Sequence, residues 1–190
     1  MRLLLAAFLG GLVLFFWGFV ANMLLPLGEA GYEYPVAEDP VLATLQTNLP
    51  REGVYIVPGL TAEQYADPAQ AEAFGKKTAA NPYAFIVYQP QGENAMDMLD
   101  ELGLQLASTI VASGLMAWVL GLAPWGFGKR VAVSTTLGVF AWVAVAVPLW
   151  TWYRFPADYI GGMLAQQFVG WLLAGIAIAG VLGRKVRRSF

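Results

Sequence analysis

The residues most able to take part in chemistry cluster in one short segment, Trp150–Tyr159. A cation, Arg154, and an anion, Asp158, flank Phe155 and Pro156 there, among several aromatic side chains. Trp and Tyr in such a segment are typical of an interfacial aromatic belt. The two charges could pair across a turn, brace a neighbouring segment or bind a zwitterionic headgroup. The candidate ligand-binding residues of this segment are Trp152, Tyr153, Arg154 and Asp158.

Two further candidates lie in short segments rich in β-branched and aromatic residues. Gly53–Val57 and Tyr83–Tyr88 are both bounded by Pro and Gly, a pattern that predicts β-strands. Tyr55 and Tyr88 could face a small ligand, although aromatic residues on strands more often pack a core. We include both as ligand-binding candidates.

The composition removes most catalytic chemistry. The chain has no Cys and no His, so it has no thiolate or imidazole for nucleophilic catalysis, proton transfer or metal binding. Its serines, Ser108, Ser113, Ser134 and Ser189, all lie outside residues 27–101. The carboxylates Asp97, Asp100 and Glu101 are more typical of a solvated helical turn than of a metal site. We therefore predict no catalytic residue, no metal ion and no cofactor, and an enzyme using carboxylates or Tyr is the last alternative.

Membrane spans are predicted by composition and by length. The chain is 58% hydrophobic and 13% charged, whereas soluble domains carry about 25% charged residues. Its long apolar stretches contain no charged residue between their ends, and each approaches the ~20 residues that cross a bilayer core. We therefore predict transmembrane helices over Leu3–Leu25, Leu102–Ala123, Val131–Trp150 and Ile160–Leu182. The first is too long for a signal peptide and lacks a cleavage pattern, so we expect it to stay uncleaved.

Charge predicts the orientation of these helices. The basic residues beside their ends, apart from Arg154, fall on one side of a four-pass arrangement: Arg2, Lys129, Arg130, Arg184, Lys185, Arg187 and Arg188. The positive-inside rule then puts both termini in the cytoplasm, including a basic tail over residues 183–190, and residues 27–101 outside. The outside segment carries a net charge of −9, which argues against nucleic acid as a partner.

The outside segment, residues 27–101, is predicted to be a small α+β domain inserted between helices 1 and 2. Asp39–Pro40 and Asp67–Pro68 are typical helix starts, and a further helix is expected from about Asn94 into the second span. A sheet of two strands is marginal by itself. We therefore expect the domain to lean on the membrane helices, on another copy or on a partner protein. The predicted fold class is a mainly α membrane protein of four transmembrane helices carrying this domain.

The few polar residues inside the spans recur with small residues at helical spacing, which is typical of helix packing with hydrogen bonds between helices. We expect Gln166 to bond to the second span in this way. A hydrophilic cavity lined by Asn22, Gln105 and Gln166 is the alternative. The predicted packing residues are Asn22, Gln105, Thr109, Ser113, Gly162, Gln166 and Gly170.

The chain resembles uncharacterised bacterial four-pass inner-membrane proteins of about this length. The resemblance rests on Trp17–Phe19, Leu25–Pro26, Gly53–Tyr55, Asn81–Phe85, Trp152–Pro156 and Gly170–Trp171. It implies a bacterial inner membrane and four passes, and it carries over no activity and no functional residue.

Two functions other than catalysis follow as hypotheses. The first is a non-catalytic binding, sensing or accessory-subunit protein that acts through its acidic outer domain. The alternative is a small oligomeric transport or lipid-handling protein with its path between the Gln-bearing helices. The expected partners are the bilayer, a second copy or another membrane protein, and a lipid or small ligand at the outer surface.

Overall fold

A computed structural model of the chain describes residues 1–25, 27–94 and 96–183. The chain divides into two compact units, one formed by Met1–Tyr32 with the chain from Met96 onward, the other by Glu33–Ala95. In chain order the elements are α1 (Arg2–Phe19), a π-helical segment (Val20–Leu24), α2 (Glu38–Asn48), β1 (Gly53–Val57), α3 (Ala62–Tyr65), α4 (Pro68–Ala80), β2 (Ala84–Tyr88), α5 (Leu99–Gly121), α6 (Phe127–Tyr153) and α7 (Ala157–Leu182).

Four helices of the first unit are long and apolar enough to cross a membrane: α1 with its π-helical extension, α5, α6 and α7. They correspond to the four predicted spans. Helix α1 packs against α5 and α7, and α6 packs against α7. Because short connections join α5 to α6 and α6 to α7, successive helices run in opposite directions. We call this unit the bundle.

Several predicted helix ends differ from the observed ones. The helix expected from about Asn94 is wrong at its start, because α5 begins at Leu99. Helix α6 extends beyond the apolar stretch Val131–Trp150 at both ends, since hydrogen bonding within a helix continues after its apolar run stops. Apart from Gly183, the predicted basic tail lies outside the described residues.

Of the two predicted helix starts, one is wrong and one is confirmed. Helix α2 begins at Glu38, so Asp39 lies inside its first turn and does not cap it. Asp67 does cap α4, and its carboxylate accepts from the backbone N–H of Ala69 at 2.9 Å. Hydrogen bonds from the Gln70 side chain and from the N–H groups of Ala69 and Gln70 hold the pKa of Asp67 below its usual value.

The second unit contains an antiparallel sheet of β1 and β2, with Tyr55 opposite Ile86. Both predicted strands are thus confirmed, although β2 begins at Ala84. Alternate residues of a strand point to opposite faces. Val54 and Val87 face each other across the strands and are 61% and 70% exposed, so one face of this sheet is apolar and exposed.

Backbone carbonyl groups of α7 accept hydrogen bonds from side chains on both neighbouring helices. A carbonyl oxygen has two lone pairs, so it can accept such a bond and keep its place in the helix. The pairs are Trp17 Nε1 with the Gln166 carbonyl at 3.0 Å, Trp142 Nε1 with the Ile160 carbonyl at 3.0 Å, and Ser134 Oγ with the Trp171 carbonyl at 2.9 Å. These bonds join α7 to α1 and to α6.

Glycines allow the helices to approach closely at particular points. A Cβ at Gly11 of α1 would lie 2.6 Å from the Cα of Ile110 on α5. A Cβ at Gly175 of α7 would lie 2.7 Å from the Cβ of Ser134 on α6. Neither distance is compatible with a side chain, so the absence of a Cβ sets the separation of these helices.

One end of the bundle is held by a buried cation. The Arg130 side chain is 2% exposed; its Nε donates to the Leu120 carbonyl at 3.2 Å and its Nη1 donates to the Gly183 carbonyl. Carbonyl groups at helix C-termini lack partners within the helix and carry partial negative charge. Arg130 therefore caps α5 and α7 together, and we call this end the basic end. In the sequence, Arg130 contributes only to the predicted membrane orientation of the helices.

Replacing Arg130 by Ala should lower the free energy of unfolding by about 3–6 kcal/mol, because two hydrogen bonds are lost and each hydrogen bond to a charged group contributes roughly 1.5–3 kcal/mol. Lys129→Ala is the matched control. The exposed Lys129 Nζ lies 5.5 Å from the centroid of the Trp125 ring, and an exposed contact of this kind contributes roughly 0.5–1 kcal/mol. Denaturant unfolding in detergent micelles measures both. Equal losses for the two variants would contradict the capping role.

Candidate functional site

The four candidates of the Trp150–Tyr159 segment lie around the junction of α6 and α7. Trp152 is 80% exposed, and the side chains of Tyr153, Arg154 and Asp158 are also exposed. Arg154 adopts a left-handed conformation with φ 57°, and its backbone N–H donates to the Leu149 carbonyl. This ends α6 in the way that helices commonly end, although glycine is the usual residue there. Asp158 lies in the first turn of α7, where the helix dipole favours a carboxylate.

The other two candidates lie in the sheet of the second unit. The rings of Tyr55 and Tyr88 meet edge to face with centroids 6.3 Å apart. The Tyr55 hydroxyl donates to the Arg51 carbonyl at 2.8 Å, and Tyr88 is 9% exposed. The structure therefore brings these two tyrosines together in one packed pair.

Four of the predicted packing residues are buried: Thr109, Ser113, Gly162 and Gly170. Gly162 packs against the non-helical segment at Leu27 and Ala30, not against another helix. The hydroxyls of Thr109 and Ser113 do not bond to a neighbouring helix as expected. Thr109 donates to the Leu106 carbonyl of its own helix, and the buried Ser113 Oγ has no hydrogen-bond partner among the described residues. That expectation was wrong because the opposing surface beside Ser113 is Gly10 and Ile178, which offer no side-chain acceptor.

The other three predicted packing residues line one cavity of about 810 Å³ between α1, α5 and α7. Asn22, Gln105, Gln166 and also Gln167 contribute side-chain amides to its lining. We call it the amide cavity. The structure thus brings together Asn22, Gln105 and Gln166, the three side chains that the sequence suggests as the lining of a hydrophilic cavity.

Gln166 bonds to the first span. Its Nε2 donates to Asn22 Oδ1 at 3.4 Å, and Asn22 Nδ2 donates to the Gly18 carbonyl at 2.7 Å. The expectation of a bond to the second span is wrong, because α1 lies directly against this part of α7. Trp17 Nε1 donates to the Gln166 carbonyl beside it, which keeps the two helices together there.

Several polar groups of the amide cavity have no partner among the described residues. Gln167 Oε1 accepts from Trp171 Nε1 at 3.0 Å, and its amide nitrogen makes no bond there. The Gln105 amide makes none at either atom, and Gln166 Oε1 accepts none. Gln166 lies nine residues after the start of α7, and its partner Asn22 lies two residues before the end of the π-helical segment. Where such an amide faces hydrocarbon it needs a hydrogen-bond partner from the protein or from a ligand, because hydrocarbon supplies none.

Aromatic side chains and small residues shape the rest of the cavity. Trp17 and Trp171 line it, and Trp17 fits because Gly170 faces it: a Cβ there would lie 3.0 Å from Trp17 Cδ1. Ser108, Thr109 and Ala112 line the α5 side. None of its described lining residues is ionisable. The cavity can therefore form hydrogen bonds and aromatic contacts, and it offers no counterion to a charged group.

A π-helical turn and a glycine hold Asn22 in place. Asn22 lies within the π-helical segment Val20–Leu24, and such turns often occur at functional sites. The chain then folds back so that the Leu27 N–H donates to the Ala21 carbonyl at 2.8 Å. A Cβ at Gly28 would overlap Asn22 Oδ1, so a side chain at this position would displace the Asn22 amide.

Sequence reasoning missed Trp17, Gln167, Trp171 and Gly28 as parts of this site. The available signal was the position of Trp17 deep in an apolar stretch, where an indole N–H needs an acceptor. The fourth span similarly places Gln167 four residues before Trp171, a spacing that puts both on one helix face. Gly28 carried no signal, since its role depends on a neighbour that the fold supplies.

Gly28→Ala should displace the Asn22 side chain and lower the free energy of unfolding by about 1–3 kcal/mol, as overpacking does. Gly18→Ala is the matched control: a Cβ there meets no atom within 4 Å, and Ala in a helix is more stable than Gly by roughly 0.5–1 kcal/mol. The free energy of unfolding measured in micelles should therefore fall for Gly28→Ala and rise for Gly18→Ala. A neutral Gly28→Ala would show that Asn22 is not held as described.

Comparison of this chain with protein-family models, with curated proteins and with solved structures found no match. The case for a site in the amide cavity therefore comes from the geometry of this chain.

Proposed function

We propose that this chain is a non-catalytic, multi-pass membrane protein that binds an uncharged, hydrogen-bonding group of a small lipid-like molecule in the amide cavity. The observation that carries the proposal is the convergence of Asn22, Gln105, Gln166 and Gln167 on one cavity. These side chains come from three different helices, and most of their hydrogen-bonding capacity is unused by the described residues.

The chemistry of the lining selects the class of ligand. Amides present both donors and acceptors, so they suit hydroxyl, ester or amide groups. A charged group would lose its hydration without gaining a counterion, at a cost of several kcal/mol. The indole rings of Trp17 and Trp171 add apolar surface beside the amides. An amphiphile with an uncharged polar group meets all of these conditions.

The size and the surroundings of the cavity fit a ligand that arrives from the membrane. Its volume of about 810 Å³ falls within the ~300–1,000 Å³ of small-molecule sites. Phe16 and Phe19 line it and are 60% and 55% exposed. Since these side chains lie on a helix apolar enough to span a membrane, the rim of the cavity meets hydrocarbon in a bilayer.

A role of the acidic segment in binding a partner protein stands as a second proposal. The observation that favours it is the exposed apolar face of the sheet at Val54 and Val87. An exposed apolar face of this kind is typical of an interaction surface. The first proposal is stronger, because the amide cavity specifies a ligand chemistry and the sheet face does not.

Ala112→Phe should fill the amide cavity and weaken binding of monobutanoylglycerol, a small uncharged probe, by about tenfold, or 1.4 kcal/mol. Ala112 lines the cavity, whereas its neighbour Val111 is exposed, so Val111→Phe is the control that should bind normally. Saturation-transfer NMR on the purified protein measures both. Glycerol phosphate should bind the unmodified protein more weakly than monobutanoylglycerol. Failure of monobutanoylglycerol to bind the unmodified protein would overturn the proposal.

We also propose that the membrane is a bacterial inner membrane and that the basic end of the bundle faces the cytoplasm. The orientation is supported by Arg130 and Lys129 at that end, together with the positive-inside rule. The bacterial inner membrane is proposed from the resemblance given above. Alkaline phosphatase fused after Gln70 should then be active, and the same enzyme fused at Phe190 should be inactive, because it folds only outside the cytoplasm. The reverse pair of results would reverse the orientation.

A further inference from the structure

A second concavity of about 520 Å³ lies between α1 and α7. We call it the apolar groove, because its lining consists only of Leu, Val, Ala, Phe and Trp side chains. On α1 and the first residue of the π-helical segment the lining residues run from Leu9 to Val20, and on α7 they are Leu173 and Ala177. Phe16 and Trp17 line both the apolar groove and the amide cavity, so the two sites adjoin.

Trp17 marks the boundary between polar and apolar chemistry. Its indole N–H is donated to the Gln166 carbonyl, so the one polar atom of the side chain is already bonded. The remaining ring surface is apolar. A molecule that bridges the two sites would therefore have its polar group on the amide side of Trp17 and hydrocarbon on the groove side.

The groove spans most of one membrane leaflet. From Trp17 to Leu9 of α1 there are eight residues, about 12 Å along a helix axis. Half of a bilayer core measures about 15 Å. From the level of Trp17, the groove extends past Leu173 and Ala177 of α7 towards the basic end, along the direction in which a lipid chain descends from its polar group.

We propose that the apolar groove holds a single hydrocarbon chain of the same molecule whose uncharged polar group binds in the amide cavity, an inference that rests on the proposed function. The ligand class is then an acyl lipid with an uncharged hydroxyl-, ester- or amide-bearing head, such as a monoacylglycerol. A chain that fills the groove supplies the dispersion contacts that its lining residues lack when the groove is empty.

Photolabelling in vesicles of phosphatidylcholine tests the position of the chain. The probe is monopalmitoylglycerol with a diazirine in the middle of its chain, and the labelled residues are mapped by mass spectrometry. Labelling should concentrate on the groove residues of α1 and α7, about tenfold above exposed positions outside the groove such as Phe140. Ala177→Trp fills the groove and should remove this enrichment. Ile176→Trp, at a neighbouring exposed position, should keep it.

The outcomes separate this inference from the proposed function. Ala177→Trp should still bind monobutanoylglycerol, because that residue does not line the amide cavity. Uniform labelling of all exposed residues, with monobutanoylglycerol still bound, would overturn the inference and leave the proposed function intact. Cross-linked dimers joined through the groove would show a second copy there and would also overturn it. Failure of the unmodified protein to bind monobutanoylglycerol would remove both.

Discussion

The arrangement of the bundle depends on hydrogen bonds that neighbouring helices donate to the backbone of α7. Trp17 comes from α1, and Trp142 and Ser134 come from α6, each with its acceptor on α7. In hydrocarbon there is no gain from burying one apolar helix against another. Helices are therefore held by close packing and by the few polar groups that must find partners. Glycines at the contacts make those short distances attainable, as at Gly170 below Trp17.

The two ends of the bundle use polar groups in opposite ways. At the basic end, Arg130 is buried and two of its nitrogens are bonded to the carbonyls of Leu120, in the last turn of α5, and Gly183, directly after α7. The hydrogen bonds at that end are made within the protein, and they stabilise the bundle. At the amide cavity, Gln105, Gln166 and Gln167 retain unused donors or acceptors beside an open volume. Such groups carry a cost in a membrane, which a ligand that bonds to them would offset.

Trp17 links the structural and the proposed functional roles. Its N–H fixes α1 to α7, and its ring lies between the amide cavity and the apolar groove. The π-helical turn that follows places Asn22 within reach of Gln166. A single helix–helix contact thereby aligns a polar site with an apolar one, and this alignment is the physical basis of the proposed lipid-like ligand.

The sequence by itself determined the four long apolar helices, both strands and the capping of α4 by Asp67, because each depends on local composition, periodicity or a short-range hydrogen bond. It also identified Asn22, Gln105 and Gln166, since polar residues are rare in apolar stretches. Only the tertiary structure decided that Gln166 meets Asn22, that Arg130 caps two helix ends and that Gly28 lies directly against the Asn22 amide. These contacts join residues distant along the chain, so they depend on which helix faces meet, and the periodicity of a single helix does not specify its neighbour.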